Sequence, residues 1–221
     1  MREIVLDTET TGLDPTAGHR IIEIACVELL HHVPSGRNFH RYVNPGRDIP
    51  DDAHAVHGLT EEFLAAHPPF EAIVDEFLAF IGSDQLVIHN AEFDLAFLNA
   101  ELDRIGRPTL TPTHVDTLVM ARQRYPGAPA SLDALCRRFE IDNSERVSHG
   151  ARIDCGLLAA VYLELIGGRQ PGLDFTAPEA GVVTAIRIAR PPRPHSPSVE
   201  ELAAHEAMLA LLTSPIWRAE A

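Results

Sequence analysis

Basic residues and cysteines are both scarce in this sequence of 221 residues. Lys and Arg number 18 against 32 Asp and Glu, and the resulting net charge of −14 argues against a broad basic footprint for duplex nucleic acid. The three cysteines, Cys26, Cys136 and Cys155, are too few and too irregularly spaced for a disulfide framework or a zinc cluster. We therefore expect each cysteine to pack as a small apolar residue. A local site where bound cations offset carboxylates stays compatible with the acidic charge.

Long apolar runs are also lacking. Nowhere do about 18 apolar residues follow one another, as a membrane-spanning helix would require. The chain opens directly into a candidate strand, without the basic, apolar and small-residue regions of a signal peptide. We expect a cytoplasmic protein with one well-buried domain and some length left over.

The hydrophobic pattern changes along the chain from strands to alternating strands and helices. Strands are predicted at 2–8, 21–30 and 38–43, with a turn in "VPSGR" between the last two. The stretch "PPFEAIVDEFLAFIG" has the period of a helix, "QLVIHN" reads as a strand, and we expect Asn90 and Ser131 to cap the next two helices. The stretch "ARIDCGLLAAVYLELIGG" predicts a last helix of this region. This order predicts an α/β fold with a mixed central sheet flanked by helices.

The amino-acid composition changes after residue 168. Residues 169–198 are rich in proline and predict a flexible linker between a folded domain, 1–168, and a docking segment, 199–221. Ser198 and Glu201 form a capping-box pattern at the start of a short C-terminal helix. On roughly one side of that helix lie Leu202, Leu209 and Leu212. A short amphipathic helix beyond a tether favours docking on a partner.

Two carboxylates stand two residues apart where an apolar strand ends. Because side chains alternate along a strand, Asp7 and Glu9 point to the same face, with Thr8 turned away. Like charges held close together need a cation or a proton between them, so the pair predicts a divalent metal site with oxygen ligands. The alternative is a pair of solvated turn residues.

Two further segments contribute an acid each, and one of them a histidine. Asp94 follows a strand in "HNAEFDLAFL", where an acid can also simply stabilise the start of a helix. In "SHGARIDCGLLAA", His149 precedes the helix that carries Asp154, and its alternative is an ordinary surface histidine. An imidazole is suited to accept a proton from water near neutral pH. Together, four acids and one histidine fit hydrolysis of a phosphodiester assisted by two divalent ions.

These stretches resemble a known family. In order and spacing, "DTET", "HNAEFD" and "HGARID" resemble the three motifs of the DEDDh exonucleases, which have a ribonuclease-H-like fold and remove nucleotides from 3′ ends. The resemblance implies that Asp7, Glu9 and Asp154 ligate one ion, with Asp7 bridging to the second. It implies that Asp94 supports the second ion through water and that His149 is the general base. The implied cofactors are two ions of Mg2+ or Mn2+.

The resemblance also implies a pocket for the terminal nucleotide. Thr10, Leu13 and His57 would hold that nucleotide, and Phe93 would form part of the wall. Leu13 and Phe93 have an alternative as core residues, and Thr10 as a turn residue.

Within that family, the sequence resembles most closely the proofreading exonuclease subunits of bacterial replicative polymerases. This resemblance extends into the part of the chain after residue 168. It implies three partners: a frayed or single-stranded DNA 3′ end, the catalytic alpha subunit of the polymerase and the sliding clamp. Gln170, Leu173 and Phe175 resemble a clamp-binding peptide, with an ordinary linker as the alternative. The C-terminal helix and Trp217 resemble a polymerase-binding segment. The alternative functions are a free-standing exonuclease that trims RNA or oligonucleotides and a non-catalytic tethering scaffold.

Overall fold

The computed structural model describes residues 1–144, 146, 148–168, 196–213 and 215 of the chain. The chain divides into two units, Met1–Asp174 and Phe175–Ala221. The described part of the second unit contains one helix, Val199–Ala210. Ser198 and Glu201 form the predicted capping box at its start, so that prediction is confirmed.

The first unit is built on a five-stranded mixed sheet with the order β3-β2-β1-β4-β5. β1 pairs antiparallel with β2, β2 antiparallel with β3, and β4 lies parallel to β1 and β5. The strands are β1 Arg2–Thr10, β2 Ile21–Leu30, β3 Val33–Tyr42, β4 Gln85–Ile88 and β5 His114–Asp116. The helices are α1 Asp51–His57, α2 Glu61–Ala65, α3 Phe70–Ile81, α4 Ala91–Arg104, α5 Thr117–Arg124, α6 Leu132–Arg138 and α7 Ala151–Leu165, and the helix of the second unit is α8. The expected α/β class with a mixed sheet is confirmed.

Helices cover both faces of the sheet because the central strands are apolar on both sides. Ile4 and Leu6 of β1 pack in the cluster that includes α3 and α4. Val5 faces the opposite side and packs in the cluster that includes α6 and α7. The three cysteines are free and buried in these two clusters, which confirms that they serve as small apolar residues. Among the described residues, no helix is both long enough and apolar enough to cross a membrane.

The hairpin between β2 and β3 differs from the predicted one. Leu30 pairs directly with Val33, and the intervening His31 and His32 have φ values of 52° and 66°. Two positive φ values suit the tight two-residue turn that matches the twist of paired strands. The prediction of a turn in "VPSGR" is therefore wrong. Pro34 is accommodated inside β3 because β3 is an edge strand, where a missing N–H need not break the ladder.

The start of α4 also differs from its prediction. Asn90 occupies the position before the helix, but its φ is 70° and its side chain makes no cap hydrogen bond. The carboxylate of Asp116 instead accepts from the backbone N–H groups of Asn90 and Ala91, at 3.2 and 3.0 Å. At α6 the expected cap is present, since the Ser131 hydroxyl accepts from the N–H of Ala134 at 3.3 Å. The structure thus confirms one of the two cap predictions.

Candidate active site

The two carboxylates of the first motif lie inside β1. The strand continues to Thr10 instead of ending at Thr8, because Glu9 still pairs with Glu23 of β2 and the register shifts only between Glu9 and Thr10. Alternation along the strand places Asp7 and Glu9 on the α7 side of the sheet, with Val5. Both side chains are thereby fixed by a paired strand with a packed core beneath it.

Asp94 approaches from the opposite face, in the first turn of α4. Its side chain is buried, and its Oδ1 accepts two hydrogen bonds from Thr8, one from the backbone N–H at 3.0 Å and one from the hydroxyl at 2.7 Å. Thr8 thus faces away from Asp7 and Glu9, as alternation predicts, and uses that orientation to attach α4 to β1.

The third motif completes the cluster. Asp154 is buried on the first turns of α7, and ligand atoms of Glu9, His149 and Asp154 all lie within 4.8 Å of one another. His149 lies just before the helix with an exposed side chain, and its backbone N–H donates to the carbonyl of Val56 at 3.1 Å. Glu9, Asp154 and His149 therefore meet from β1, α7 and the loop before α7, and Asp7 lies close enough to Asp94, Glu9 and Asp154 for their charges to affect its pKa.

The carboxylates of this cluster strongly affect one another. Burial, followed by repulsion from Asp154, raises the pKa of Glu9 to about 8. Burial raises the pKa of Asp94 to about 7, although the hydrogen bonds from Thr8 act in the opposite direction. Removal from water, followed by the charges of Asp94 and Glu9, raises the pKa of Asp7 well above its usual range. The negative charge of such a set of carboxylate oxygens is compensated either by protons or by divalent cations.

The four residues expected to hold a nucleotide line one cavity of about 350 Å3. Its walls include Thr10, Leu13, His57, Phe93 and also Glu9. Leu13 is 84% exposed, which rules out its alternative as a core residue. The Thr10 hydroxyl donates to the carbonyl of Gly12 at 2.6 Å, and this bond shapes the turn after β1.

His57 is buried, and one of its two ring nitrogens has no hydrogen-bond partner among the described residues. Its Nδ1 accepts from the backbone N–H of Leu59 at 3.0 Å, so in the neutral ring the proton is on Nε2. Burial lowers the pKa of His57 and favours that neutral form. Nε2 is buried and makes no hydrogen bond with any residue that the structure describes. A buried N–H donor in the wall of a cavity is suited to an oxygen of a bound ligand.

Two residues next to the cluster were not anticipated from the sequence. The Arg146 guanidinium contacts Asp154, Asp133 and His149. Glu23, opposite Glu9 in the sheet, accepts from the N–H of Ala151 at 3.2 Å and lies 2.7 Å from Nε2 of His40. Neither residue belongs to a motif. In the sequence, Arg146 is only a charged residue just before "SHGARID", and Glu23 is only a charged residue on an apolar strand.

The tail residues are described only in part. Leu209 is buried, whereas Leu202 and Leu212 are about half exposed, at 50% and 46%. Gln170, Leu173, Phe175 and Trp217 lie outside the described residues. The clamp-binding and polymerase-binding assignments remain predictions.

Comparison with known proteins defines the class. A family model described as an exonuclease, RNase_T, matches residues 4–162, which span all three motifs. The chain belongs to this exonuclease family. The expectation of an enzyme that hydrolyses phosphodiester bonds is thereby confirmed, and a two-metal mechanism fits the family.

Curated relatives specify the branch of that family. The chain is 55% identical over 174 residues to DNA polymerase III subunit epsilon of Rickettsia felis, covering 77% of this chain and 76% of that protein. It is 45% identical to the same subunit of Salmonella typhimurium, covering 99% of this chain and 98% of that protein. The Escherichia coli subunit is 44% identical over the same shares of the two chains. The branch is therefore that of the DNA polymerase III epsilon subunits.

Solved structures confirm the expected ribonuclease-H-like architecture. A complex of exonuclease X with 5′-overhanging duplex DNA matches with a TM-score of 0.60 and 27% identity, over 74% of this chain and 90% of that one. The nuclease domain of 3′hExo, a DEDDh family member bound to rAMP, matches with a TM-score of 0.63 and 18% identity, over 75% and 91% of the two chains. At 18% identity the second likeness concerns the fold alone.

Proposed function

We propose that this exonuclease proofreads: it removes mispaired nucleotides from DNA 3′ ends, in the 3′→5′ direction, as a subunit of a replicative polymerase. The observation that carries the proposal is the nucleotide-sized cavity whose wall includes Glu9 of the acidic cluster. The names of the relatives that match nearly the whole chain support the assignment to a polymerase.

The acidic cluster fits two divalent ions. Asp7, Glu9 and Asp154 would hold one ion, and Asp7 and Asp94 would hold the second. Burial raises the pKa of Asp7, Glu9 and Asp94, with repulsion between carboxylates as a further cause for Asp7 and Glu9, and a bound cation would favour their ionised forms. Oxygen-only donors favour Mg2+ or Mn2+. Bound ions would supply activation of water and stabilisation of charge on the phosphate.

Within this arrangement the chain's own residues position the nucleotide and move a proton. Leu13 and Phe93 present apolar surface to the terminal nucleotide, and Nε2–H of His57 donates to one of its oxygens. His149, exposed at the edge of the cluster, accepts a proton from the attacking water. Since a mismatched end separates from its template more easily than a matched one, selection comes from the cost of melting. The net charge of −14 suits an enzyme that holds only a few unpaired nucleotides.

The test is digestion of a 5′-labelled DNA primer, paired or with a 3′ mismatch, with Mg2+, with Mn2+ and with EDTA. We expect stepwise shortening from the 3′ end that is faster at the mismatch and is abolished by EDTA. Asp154→Asn should abolish it, and His149→Ala should slow it by about 10²–10⁴. Shortening of RNA but not of DNA would favour the free-standing enzyme, and no shortening with either metal would favour the scaffold.

For the partners, we propose the division into 1–168, 169–198 and 199–221, with Gln170, Leu173 and Phe175 binding the sliding clamp. Leu202, Leu209, Leu212 and Trp217 would bind the alpha subunit. Full-length protein with Leu173→Ala and Phe175→Ala should lose binding to the clamp but not to alpha, and Trp217→Ala should show the reverse. A variant that loses binding to both partners equally, or that keeps binding to both, would contradict this division.

A further inference from the structure

An arginine outside the three motifs contacts the acidic cluster directly. Nε of Arg146 lies 2.5 Å from Oδ1 of Asp154, and Nη2 lies 2.6 Å from Oδ2. Both side chains are almost completely buried, at 7% and 5% exposure. The paired geometry is the one in which a guanidinium binds a carboxylate best. Both oxygens of a proposed metal ligand are therefore engaged by a cation that the chain itself supplies.

The same guanidinium also reaches His149. Nη2 lies 2.8 Å from Nδ1 of His149. Arginine only donates hydrogen bonds, so Nδ1 is the acceptor, and a neutral His149 in this contact has its proton on Nε2. In that arrangement Nδ1 is occupied and Nε2 has no free lone pair. The histidine cannot accept a proton from water until Arg146 moves.

A third contact anchors the arginine on the other side. Nη1 lies 2.7 Å from Oδ1 of Asp133, on α6. Asp133 is 41% exposed and stands outside the acidic cluster. Arg146 can therefore release Asp154 while it remains paired with Asp133, which lowers the cost of moving the guanidinium.

We propose that Arg146 is a positioning residue that occupies Asp154 when no divalent ion is bound, and that its displacement by the ion also releases His149 to act as the base. The inference rests on the proposed ligation of a divalent ion by Asp154. An ion and a guanidinium compete for the same two oxygens, so loading of the ion and release of the histidine become one event. The apparent affinity for the ion equals the intrinsic affinity multiplied by the fraction of molecules in which Asp154 is not held by Arg146.

The first test measures Mn2+ binding by calorimetry on the full-length protein without DNA. Arg146→Gln keeps much of the side chain's length but removes its charge, and we expect about tenfold tighter binding or more because the competing cation is gone. The matched control is Arg20→Gln. Arg20 also binds a buried carboxylate through two nitrogens, at 2.5 and 2.7 Å from Glu101, but does not contact the cluster. We expect wild-type affinity for this control.

An unchanged or weaker affinity in Arg146→Gln would overturn the inference and make Arg146 a purely structural clamp. A merely structural role predicts loss of affinity, because the segment that carries His149 would lose its anchor. The direction of the change therefore separates the two roles.

A second measurement uses the wild-type protein and so does not depend on folding of a variant. Nitrogen-15 NMR follows the Nε–H of Arg146 and the ring nitrogens of His149 during titration with Mg2+. We expect the Arg146 signal to lose its hydrogen-bonded position and the Nδ1 signal of His149 to change in step with binding. Binding without either change would overturn this inference alone. No binding of Mg2+ or Mn2+ would overturn the metal assignment and, with it, the inference.

Discussion

Thr8 binds Asp94 twice, through its backbone N–H and its hydroxyl, and both bonds end on the same carboxylate oxygen. Thr8 belongs to β1 and Asp94 to α4, so this contact fixes the second acidic motif relative to the first. The strand thus contributes to the cluster through both of its faces. Asp7 and Glu9 act directly on one face, and Thr8 acts through Asp94 on the other.

Thr8→Val should weaken metal binding without breaking the strand. Valine removes the hydroxyl but keeps the shape and the backbone N–H, so Asp94 loses one of the two hydrogen bonds from Thr8 that lower its pKa. At pH 7 less of Asp94 is ionised, and we expect metal-dependent cleavage to require about tenfold more Mg2+, for a loss of about 1.4 kcal/mol. The measurement is the cleavage rate against Mg2+ concentration. Thr8→Ser, which keeps the hydroxyl, is the control, and an unchanged Mg2+ requirement in Thr8→Val would contradict this role.

The stability of the protein should fall more steeply with rising pH without metal than with it. In the folded state the pKa is about 8 for Glu9 and about 7 for Asp94, above their ordinary values of 4.5 and 3.8. A raised pKa means that the folded state binds more protons than the unfolded state. The contribution of these two carboxyls to the free energy of unfolding is therefore fully present below about pH 4 and is lost as pH rises through 7 to 8. This loss arises because burial, first of all, disfavours the ionised carboxylates, and a bound divalent ion would compensate their negative charge and reduce the loss.

We therefore expect the difference in melting temperature between Mg2+-loaded and EDTA-treated protein to grow from pH 6 to pH 9. Scanning calorimetry on both forms provides the measurement. In Glu9→Gln the melting temperature of the EDTA-treated form should fall less steeply with pH, because one titrating carboxyl is gone. A difference that stays constant across this range would show that the cluster does not titrate as described.

Leu13→Ala should separate substrate binding from folding. Leu13 is 84% exposed and lines the proposed nucleotide cavity, so its truncation removes little packing from the folded protein. We expect the free energy of unfolding to change by no more than about 0.5 kcal/mol. The KM for a single-stranded oligonucleotide should rise about tenfold, because burial of a leucine against a ligand contributes about 1.5 kcal/mol or more.

Steady-state kinetics and urea unfolding on the same preparation test this prediction. Leu6→Ala is the contrasting variant, since Leu6 is fully buried in β1 and its truncation should cost about 2–5 kcal/mol of stability. If Leu13→Ala cleaved with an unchanged KM, the nucleotide would have to lie elsewhere.

The parts of the fold that could be predicted from sequence are those set by local pattern. The apolar run Ile21–Leu30 predicted β2 to its exact ends, and the helical period of "PPFEAIVDEFLAFIG" predicted α3. The turn at His31 and His32 could not be predicted in the same way, because neither residue is among the usual turn formers. Its geometry is imposed by the pairing of Leu30 with Val33.

The same distinction applies to the site. Asp7, Glu9, Asp94, His149 and Asp154 were predicted because they lie in short motifs with a recognisable spacing. Arg146 was not, because its role depends on Asp133 and Asp154, which approach it only when α6 and α7 pack together. Charge alone does not distinguish such an arginine from a solvated one.

Asp116 anchors the beginnings of two helices at once. Its carboxylate accepts from the N–H groups of Asn90 and Ala91 at the start of α4, and from Leu118 and Val119 at the start of α5. The last two bonds measure 2.8 and 3.2 Å. Asp116→Ala leaves all four donors without this acceptor, and we expect it to lower the free energy of unfolding by about 2 kcal/mol or more.

Urea unfolding measures that loss, and amide hydrogen exchange at Ala91 and Leu118 locates it. Asp116→Asn is the matched variant: it retains one carbonyl oxygen as an acceptor but loses the second oxygen acceptor and the charge. Its free energy of unfolding should therefore lie between those of the wild type and Asp116→Ala. Faster exchange at both amides in Asp116→Ala would show that one side chain stabilises both helices. Faster exchange at Leu118 alone would mean that Asp116 caps only α5 and that α4, with Asp94 on its first turn, is held in place chiefly by Thr8.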